Sequence, residues 1–482
     1  MKRKFIWNLL LVVVLNLLIK PFYILGIDAE VINRVGASVY GNYFALINFS
    51  FLLNIILDLG ITNFNVKNIA QHQQLLDKHF SGIITLRIFL VLFYLLATVL
   101  IAVFIGYDKT QFKILMILAL NQSLVAFILY VRSNLAGLHL FFQDGFISIL
   151  DRLLLIIICS ILLWGGTFNS AFQIEWFVYA QTAAYSITLL FSFSLVIRRT
   201  SRFQFHWNKL FAILILKKSL PYALLILLMT IYYRIDSIML ERMINDSAEQ
   251  AGIYAQAYRF FEASNMLAYL FAALLLPILS RMIKLNESIH EIIDFSFKTL
   301  ISSALILSIF CCFFSLEIIE LRYSDYILES STIFSVLMLC FICVSSTYIY
   351  GTLLTANGNL YYLNIVAGCG VILNIFLNLY LIPQYHALGS AIASLITQFL
   401  TGFAQIILCV YIFELNLKRT FMKIIFFISG LIIFTYILKD LSLDLHYRFC
   451  VYIMFSVIWL FITKLIKISD FNMLIENKFK LK

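Results

Sequence analysis

Charge is what this sequence has least of. Asp, Glu, Lys and Arg make up only 12% of its 482 residues, while 62% are hydrophobic, and the mean hydropathy is +0.96. No water-soluble fold needs so much apolar surface, so the composition excludes one. Alternating apolar and polar segments of about 10 residues are also missing, which excludes a transmembrane barrel. There is no nucleotide-binding glycine loop and no acidic metal pair in a solvent loop, so ATP-driven transport and nucleotide-sugar transfer lack a site. All eight cysteines lie in or beside apolar runs, and Cys340 and Cys343, spaced like a redox or zinc motif, have no second ligand pair. Neither a metal nor a cofactor is expected. The basic, apolar start MKRKFIWNLLLVVVLNLLIKPF lacks a small-residue cleavage site and reads as a retained first helix.

What is present is a series of apolar runs, each about 20 residues long, the length an α-helix needs to cross a hydrocarbon core. They predict an all-α polytopic membrane protein of about 14 transmembrane helices. The first is expected over 5–26, the third from 82, the seventh over 219–238 and the eighth over 251–280. A net charge of +10 could signal nucleic acid, but positive charge on membrane proteins collects on cytoplasmic loops, and no nucleic acid is expected. Lys2, Arg3 and Lys4, then Arg198 to Lys218, then Lys418, Arg419 and Lys423 fall on one predicted face, with Lys109 and Lys113 as exceptions on the other. Both termini are therefore expected in the cytoplasm. The polar stretch 65–80 reads as a piece lying on that surface.

The chain also repeats itself. Gly41 and Tyr43 in YGNYFALINF recur as Gly252 and Tyr254 in AGIYAQAYRF, 211 residues later. With equal helix counts, this predicts two pseudo-symmetric six-helix lobes, 1–197 and 219–413, related by an axis along the membrane normal. A basic link spans 198–218, and two additional helices and a basic tail occupy 414–482.

Three stretches carry a family likeness. VINRVGASVYGNYFALINFSFLLNIILDLGITN has a Tyr-Gly pair opening a helix and a Leu-Gly closing it. LPYALLILLMTIYYRIDSIMLERM is followed by Gly-x-Tyr-x-x-Ala-Tyr. ANGNLYYLNIVAGCGVILNIFLNLYLIPQYHALGSAIASLITQ has an Asn-rich helix ending in Leu-Ile-Pro. Together they resemble the polysaccharide transporter family, the O-antigen and capsule flippases of the multidrug/oligosaccharidyl-lipid/polysaccharide exporter superfamily. Where that pattern commonly has Tyr-Gly-Ala-x-Gly, this chain has Tyr385, His386, Ala387, Leu388 and Gly389. The resemblance implies an alternating-access exporter of lipid-linked oligosaccharide in the bacterial inner membrane, working among membrane lipids and beside polysaccharide polymerase machinery.

Such cargo brings a diphosphate and a sugar chain across oil. Arginine pairs bidentately with phosphate oxygens and keeps its charge at any working pH. At helical spacing, Thr230, Arg234, Ser237 and Glu241 line one side of the seventh helix, and Tyr254, Tyr258, Glu262 and Asn265 one side of the eighth. Lys20 is expected in the outer third of the first helix. Lys20, Arg234 and Arg259 are the candidate anion site, and Tyr254 and Tyr258 the candidate sugar-facing rings. Against this stand a local pairing of Arg259 with Glu262 and snorkelling of Arg234 and Lys20 to the interface. Glu262 and Asp58 are candidates for coupling to H+ or Na+. Asp236 reads as a helix-end residue at headgroup water, and Asp151 with Arg152 as a local pair near the cytoplasmic edge. Three other activities compete: a multidrug or cation extruder, a peptidoglycan lipid-precursor flippase, and a polysaccharide polymerase or ligase. The last is the enzyme among them, and no outer link exceeds about 15 residues to serve its acceptor chemistry. No enzymatic activity is expected.

Overall fold

The computed structural model describes residues 14–466 except 63–64, 67–68, 70–73, 139, 166–171, 201–207 and 245. The basic residues Lys2, Arg3, Lys4 and Arg202 and the tail beyond 466 lie outside the described residues. Among those described there is no strand, and twelve helices are long and apolar enough to cross a membrane. One of these, Leu360–Phe413, holds a non-helical residue at His386 and so consists of two helices. A further helix opens the described chain.

That opening helix, α1 (14–35), runs well past the end expected at 26. Pro21 has no N–H to give the helical ladder, and the π-helical turn Tyr23–Asp28 follows at once. Such a turn absorbs a residue without stopping the helix, and Ala29–Val35 continues it. Gly36, at φ 82° and ψ 159°, alone joins α1 to α2 (Ala37–Leu52), in a backbone region that only glycine enters freely. The remaining long helices are α3 (Leu75–Ile105), α4 (Lys109–Gly137), α5 (Phe141–Trp164), α6 (Ile174–Ile197), α7 (Lys209–Met243), α8 (Ser247–Lys284), α9 (His290–Phe313), α10 (Ile327–Ala356), α11 (360–385), α12 (387–413), α13 (Lys418–Lys439) and α14 (Leu445–Ile462), with short helical turns at Ile55–Asp58 and Ser315–Glu320.

Several helices are longer than their apolar runs. α7 begins at Lys209 because Lys217 interrupts the hydrophobic run without interrupting the helix, lysine being a good helix former. The stretch 65–80, expected on the surface, is held at its start. Asn65 is buried and donates to Ser133 Oγ (2.8 Å) and Asn134 Oδ1 (3.0 Å) of α4, and Ile69 fills the space that a side chain at Gly137 would need.

The described chain forms two compact units. The first comprises residues up to Arg259 together with Asn378–Ser390; the second comprises Phe260–Leu377 and the residues from Ala391 onward. In the second unit, small residues let helices approach closely, as membrane packing favours. Gly402 of α12 faces Thr347 of α10, and Gly430 of α13 lies under the Trp459 ring of α14. Tyr452 of α14 donates to the Ile306 carbonyl of α9 (2.9 Å) and Thr420 of α13 to Asp294 (2.8 Å). These bonds tie the last two helices to the unit.

His386 stands at φ 52° and ψ −129°, at the position where the family pattern has glycine. A side chain in such a region costs of order 1–3 kcal/mol. Replacing His386 with glycine is therefore expected to raise stability by about 1 kcal/mol, the gain being trimmed by the freer unfolded chain. Thermal unfolding in detergent measures this; a lowered midpoint would show that the histidine contributes more than its backbone costs.

Candidate functional site

The site grows from the π-turn of α1. The turn buries Asp28, which is 1% exposed, and its carboxylate takes two partners from other helices. Tyr40 of α2 donates its hydroxyl to Oδ1 (2.8 Å), and Arg259 of α8 approaches Oδ2 with Nε at 2.6 Å. Arg259 also donates to the Tyr40 oxygen from Nε (3.0 Å) and Nη2 (2.5 Å). Its guanidinium lies 5.3 Å from the Phe44 ring centre and 5.7 Å from that of Tyr40. A buried ion pair survives desolvation only when such extra hydrogen bonds occupy its free edges. Arg259 thus makes an ion pair with a residue far away in sequence.

Tyr254 and Tyr258 stack on each other at 5.7 Å, and Phe44 meets both, at 6.5 and 5.7 Å. The two rings are 2% and 8% exposed. In this conformation their faces are covered by aromatic neighbours. Arg234 of α7 donates from Nη1 to Asn48 Oδ1 of α2 (3.0 Å) and sits 4.7 Å over Phe51.

Depth corrects the sequence reading. At 1.5 Å per residue, Arg234 lies about 14 Å from the end of α7, Arg259 about 18 Å from the start of α8, and Lys20 about 22 Å from the end of α1. Lys20 is therefore fifteen residues short of the end of α1 rather than in its outer third, because α1 continues through the π-turn. Arg152 also sits in the middle of α5, about 17 Å from each end, and not at a membrane edge. Charges at this depth are expensive and mark sites of function.

The two copies of the repeated Gly-x-Tyr motif meet each other. A side chain at Gly41 would overlap the Ala248 carbonyl oxygen and come within 2.6 Å of the Gly252 nitrogen; one at Gly252 would overlap the Ala37 carbonyl and come within 2.8 Å of the Ala37 Cα. Ala37 and Ala248 are 211 residues apart, as are Gly41 and Gly252. Both helices thus present a small-xxx-small face, the pattern that lets membrane helices touch backbone to backbone. The crossing of α2 and α8 is symmetric in sequence and in contact.

The acidic candidates differ sharply. Asp58 accepts from Arg87 Nη2 and from the hydroxyl and amide of Thr62. Arg87, 1% exposed, also donates to the Ala126 carbonyl (2.9 Å) and lies 4.9 Å over the Tyr130 ring. That carboxylate is committed to bracing α3 and α4. Glu262 is half-buried on α8. Asp236, expected at headgroup water, is instead 2% exposed, because α7 runs on to Met243. Asn378 of α11 donates to its Oδ1 (2.7 Å), Ser390 of α12 donates to Asn378 Oδ1 (3.1 Å), and Tyr254 lies 3.4 Å from its Oδ2. Carboxylate, amide and hydroxyl oxygens collected in one buried place are the donor set of a hard cation. Among the described residues no three His, Cys, Asp or Glu side chains gather to hold a metal.

No curated protein matches the chain by sequence. The sequence family described as polysaccharide biosynthesis protein matches residues 4–283. Among solved structures, the fold is similar to a lipid II flippase MurJ in an inward closed conformation, with TM-score 0.72 and 16% identity over 95% of this chain and 97% of that one. It is similar to an inward-facing multidrug resistance MATE family transporter of the MOP superfamily, with TM-score 0.61 and 13% identity over 80% and 93%. A third likeness is to a MOP superfamily transporter from Pyrococcus furiosus, described as having a binding pocket of reverse polarity, with TM-score 0.58 and 14% identity over 84% and 94%.

Proposed function

The chain belongs to the polysaccharide biosynthesis protein family, and on that premise we propose that it flips an undecaprenyl-diphosphate-linked oligosaccharide from the cytoplasmic to the outer leaflet by alternating access. The observation that carries this reading is the depth of Lys20, Arg234 and Arg259, each about 14 to 22 Å inside a membrane-length helix. An extruder of organic cations would gain nothing from three positive charges there. A diphosphate would, because guanidinium groups neutralise it with paired hydrogen bonds while the lipid tail stays in the bilayer. In this reading Arg259 exchanges Asp28 for a phosphate oxygen, and Tyr254 and Tyr258 turn their faces to the sugars when the α2–α8 crossing opens.

The two repeats act as lobes that rock about that crossing, with both termini in the cytoplasm. An inward-moving H+ or Na+ drives the cycle, each charge supplying about 2.3 kcal/mol per 100 mV. Asp236 has surroundings better suited to it than those of Asp58, whose carboxylate is occupied by Arg87.

Reconstitution tests the reading. Proteoliposomes carrying a fluorescent undecaprenyl-diphosphate glycan should move the label out of reach of a membrane-impermeant quencher, with no lengthening of the glycan. Lengthening without movement would make the protein a polymerase. Asp236→Asn should keep the movement but lose at least tenfold of its stimulation by an imposed ion gradient; full stimulation would assign the coupling elsewhere.

A further inference from the structure

One mid-membrane cluster lies apart from the Arg259 pair. Asn16, Lys20 and Tyr23 share a face of α1, and Asp144, Ser148 and Arg152 share a face of α5; Asn16 donates to Ser148 Oγ (3.1 Å), which sets the register between them. Arg132 of α4 has a close carboxylate, its Nε donating to Asp144 Oδ1 at 2.7 Å. Arg152 has a looser one. Its guanidinium sits 4.8 Å from the Tyr23 ring centre and 5.9 Å from that of Tyr185 on α6, and its one side-chain hydrogen bond among the described residues goes from Nη1 to the Tyr185 oxygen (3.1 Å). Asp151 stays 3.8 Å from Nε, its Oδ1 accepting from the Arg152 backbone amide instead (2.8 Å). Lys20 has Arg152, Arg132, Asp151 and Asp144 as its charged neighbours and makes no hydrogen bond or ion pair among the described residues.

Lys20 and Arg152 therefore have one carboxylate between them, Asp151, which pairs with Arg152 at 3.8 Å, and this leaves an excess positive charge at a depth where such charge is costly. Two aromatic rings lie within cation–π range of the guanidinium. Most of its N–H groups stay unused, and the side chain is 29% exposed. A guanidinium with so many free donors, part of it exposed, can receive a bidentate oxyanion.

We propose that Arg152, beside the rings of Tyr23 and Tyr185 and with Lys20 as a charged neighbour, is an anion subsite that takes an oxyanion of the cargo, a phosphate of the lipid carrier or a carboxylate of an acidic sugar. The inference rests on the flippase reading for what the cargo is, and its site is separate from Arg259.

Binding to the full-length protein in nanodiscs tests it, with farnesyl diphosphate against farnesol as one pair of probes and glucuronic acid against glucose as the other. Wild-type protein should prefer the charged member of at least one pair by tenfold or more. Arg152→Gln should erase that preference without shifting the thermal midpoint, Arg152→Lys should restore part of it, and Tyr185→Phe, which frees Nη1 but keeps the ring, should retain it. Loss in the diphosphate arm assigns the phosphate; loss in the glucuronic acid arm assigns the sugar. Should Arg152→Gln not fold, Arg152→Met, which keeps the length of the stem beside the two rings, replaces it, with the same expected loss. Unchanged preference in these variants, or no preference in the wild type, overturns the subsite. Failure of wild-type protein to move the lipid-linked glycan while keeping the probe preference would instead overturn the flippase reading alone.

Discussion

Gly41→Ala is expected to open the α2–α8 crossing and to stop transport, and Gly252→Ala to do the same. Each added methyl group would overlap a backbone carbonyl of the facing helix, and a backbone cannot rotate aside as a side chain can. The helices must separate, so the closed arrangement loses the packing that holds it. Overpacking of this kind costs about 1–3 kcal/mol, and about 1.4 kcal/mol is a tenfold shift between two states. A conformational cycle biased tenfold or more toward one side stalls there. The readout is a single cysteine placed at Ala37, which is 5% exposed, in a background without the native cysteines. Its labelling by a membrane-impermeant maleimide should be at least tenfold faster in the glycine variants. Equal labelling would show that the crossing does not open during the cycle. The equivalence of the two variants is part of the expectation, because each glycine meets the partner helix through the same pair of positions.

The second large effect is expected at Asp28. Asp28→Ala removes the carboxylate 2.6 Å from the buried Arg259 guanidinium, and breaking a buried pair from one side costs about 3–5 kcal/mol. Arg259→Ala strands Asp28 in the same way. The double variant Asp28→Asn/Arg259→Gln removes both charges and keeps neutral groups near Tyr40, so stability should return to within about 1–2 kcal/mol of the wild type, neutral hydrogen bonds replacing a charged pair. Transport should not return. That split separates a brace from a cargo-binding group: a brace is satisfied by the neutral pair, whereas the cargo's diphosphate is not. Thermal unfolding together with the quenching assay reads both quantities. Wild-type transport by the double variant would reduce Arg259 to a structural role.

How much of this was legible in the sequence depends on distance along the chain. The number of helices and the repeat of Gly41 in Gly252 could be read directly, since hydropathy and motif are local signals, and the repeat even named the two residues that touch. Helix ends could not be read well. The apolar run looks finished at Gly26, but a π-turn carries the backbone through it, and Lys20 moves inward by the length of Ala29–Val35 and more. Lys217 looks like a boundary and is not one, so Arg234 and Asp236 go deeper as well. Partners were the least legible. A local reading can pair Arg259 only with a neighbour such as Glu262, and it has no means of finding the ion pair with Asp28 from the first helix. Asp28 itself, three residues after Leu25 in what looks like a loop, carried no sign of burial. Arg152 was hidden by Asp151 beside it: the local pair is there, at 3.8 Å, but it lies mid-helix rather than at an edge, and the two tyrosine rings beside the guanidinium come from distant helices. The glycine missing at His386 was visible as a departure from the family pattern, and the backbone angle there gives its physical meaning.

The central claim is that positive charge at mid-membrane depth neutralises the cargo's diphosphate during passage. Its most direct test is the quenching assay run on Lys20→Gln, Arg234→Gln and Arg259→Gln proteins, with the lipid-linked glycan carrying a diphosphate and, in parallel, with the same glycan on an uncharged polyprenyl carrier. Transport of the diphosphate cargo should fall at least tenfold in each variant while the small background rate of the neutral cargo stays the same. Equal rates for the charged cargo in the wild type and all three variants would contradict the account.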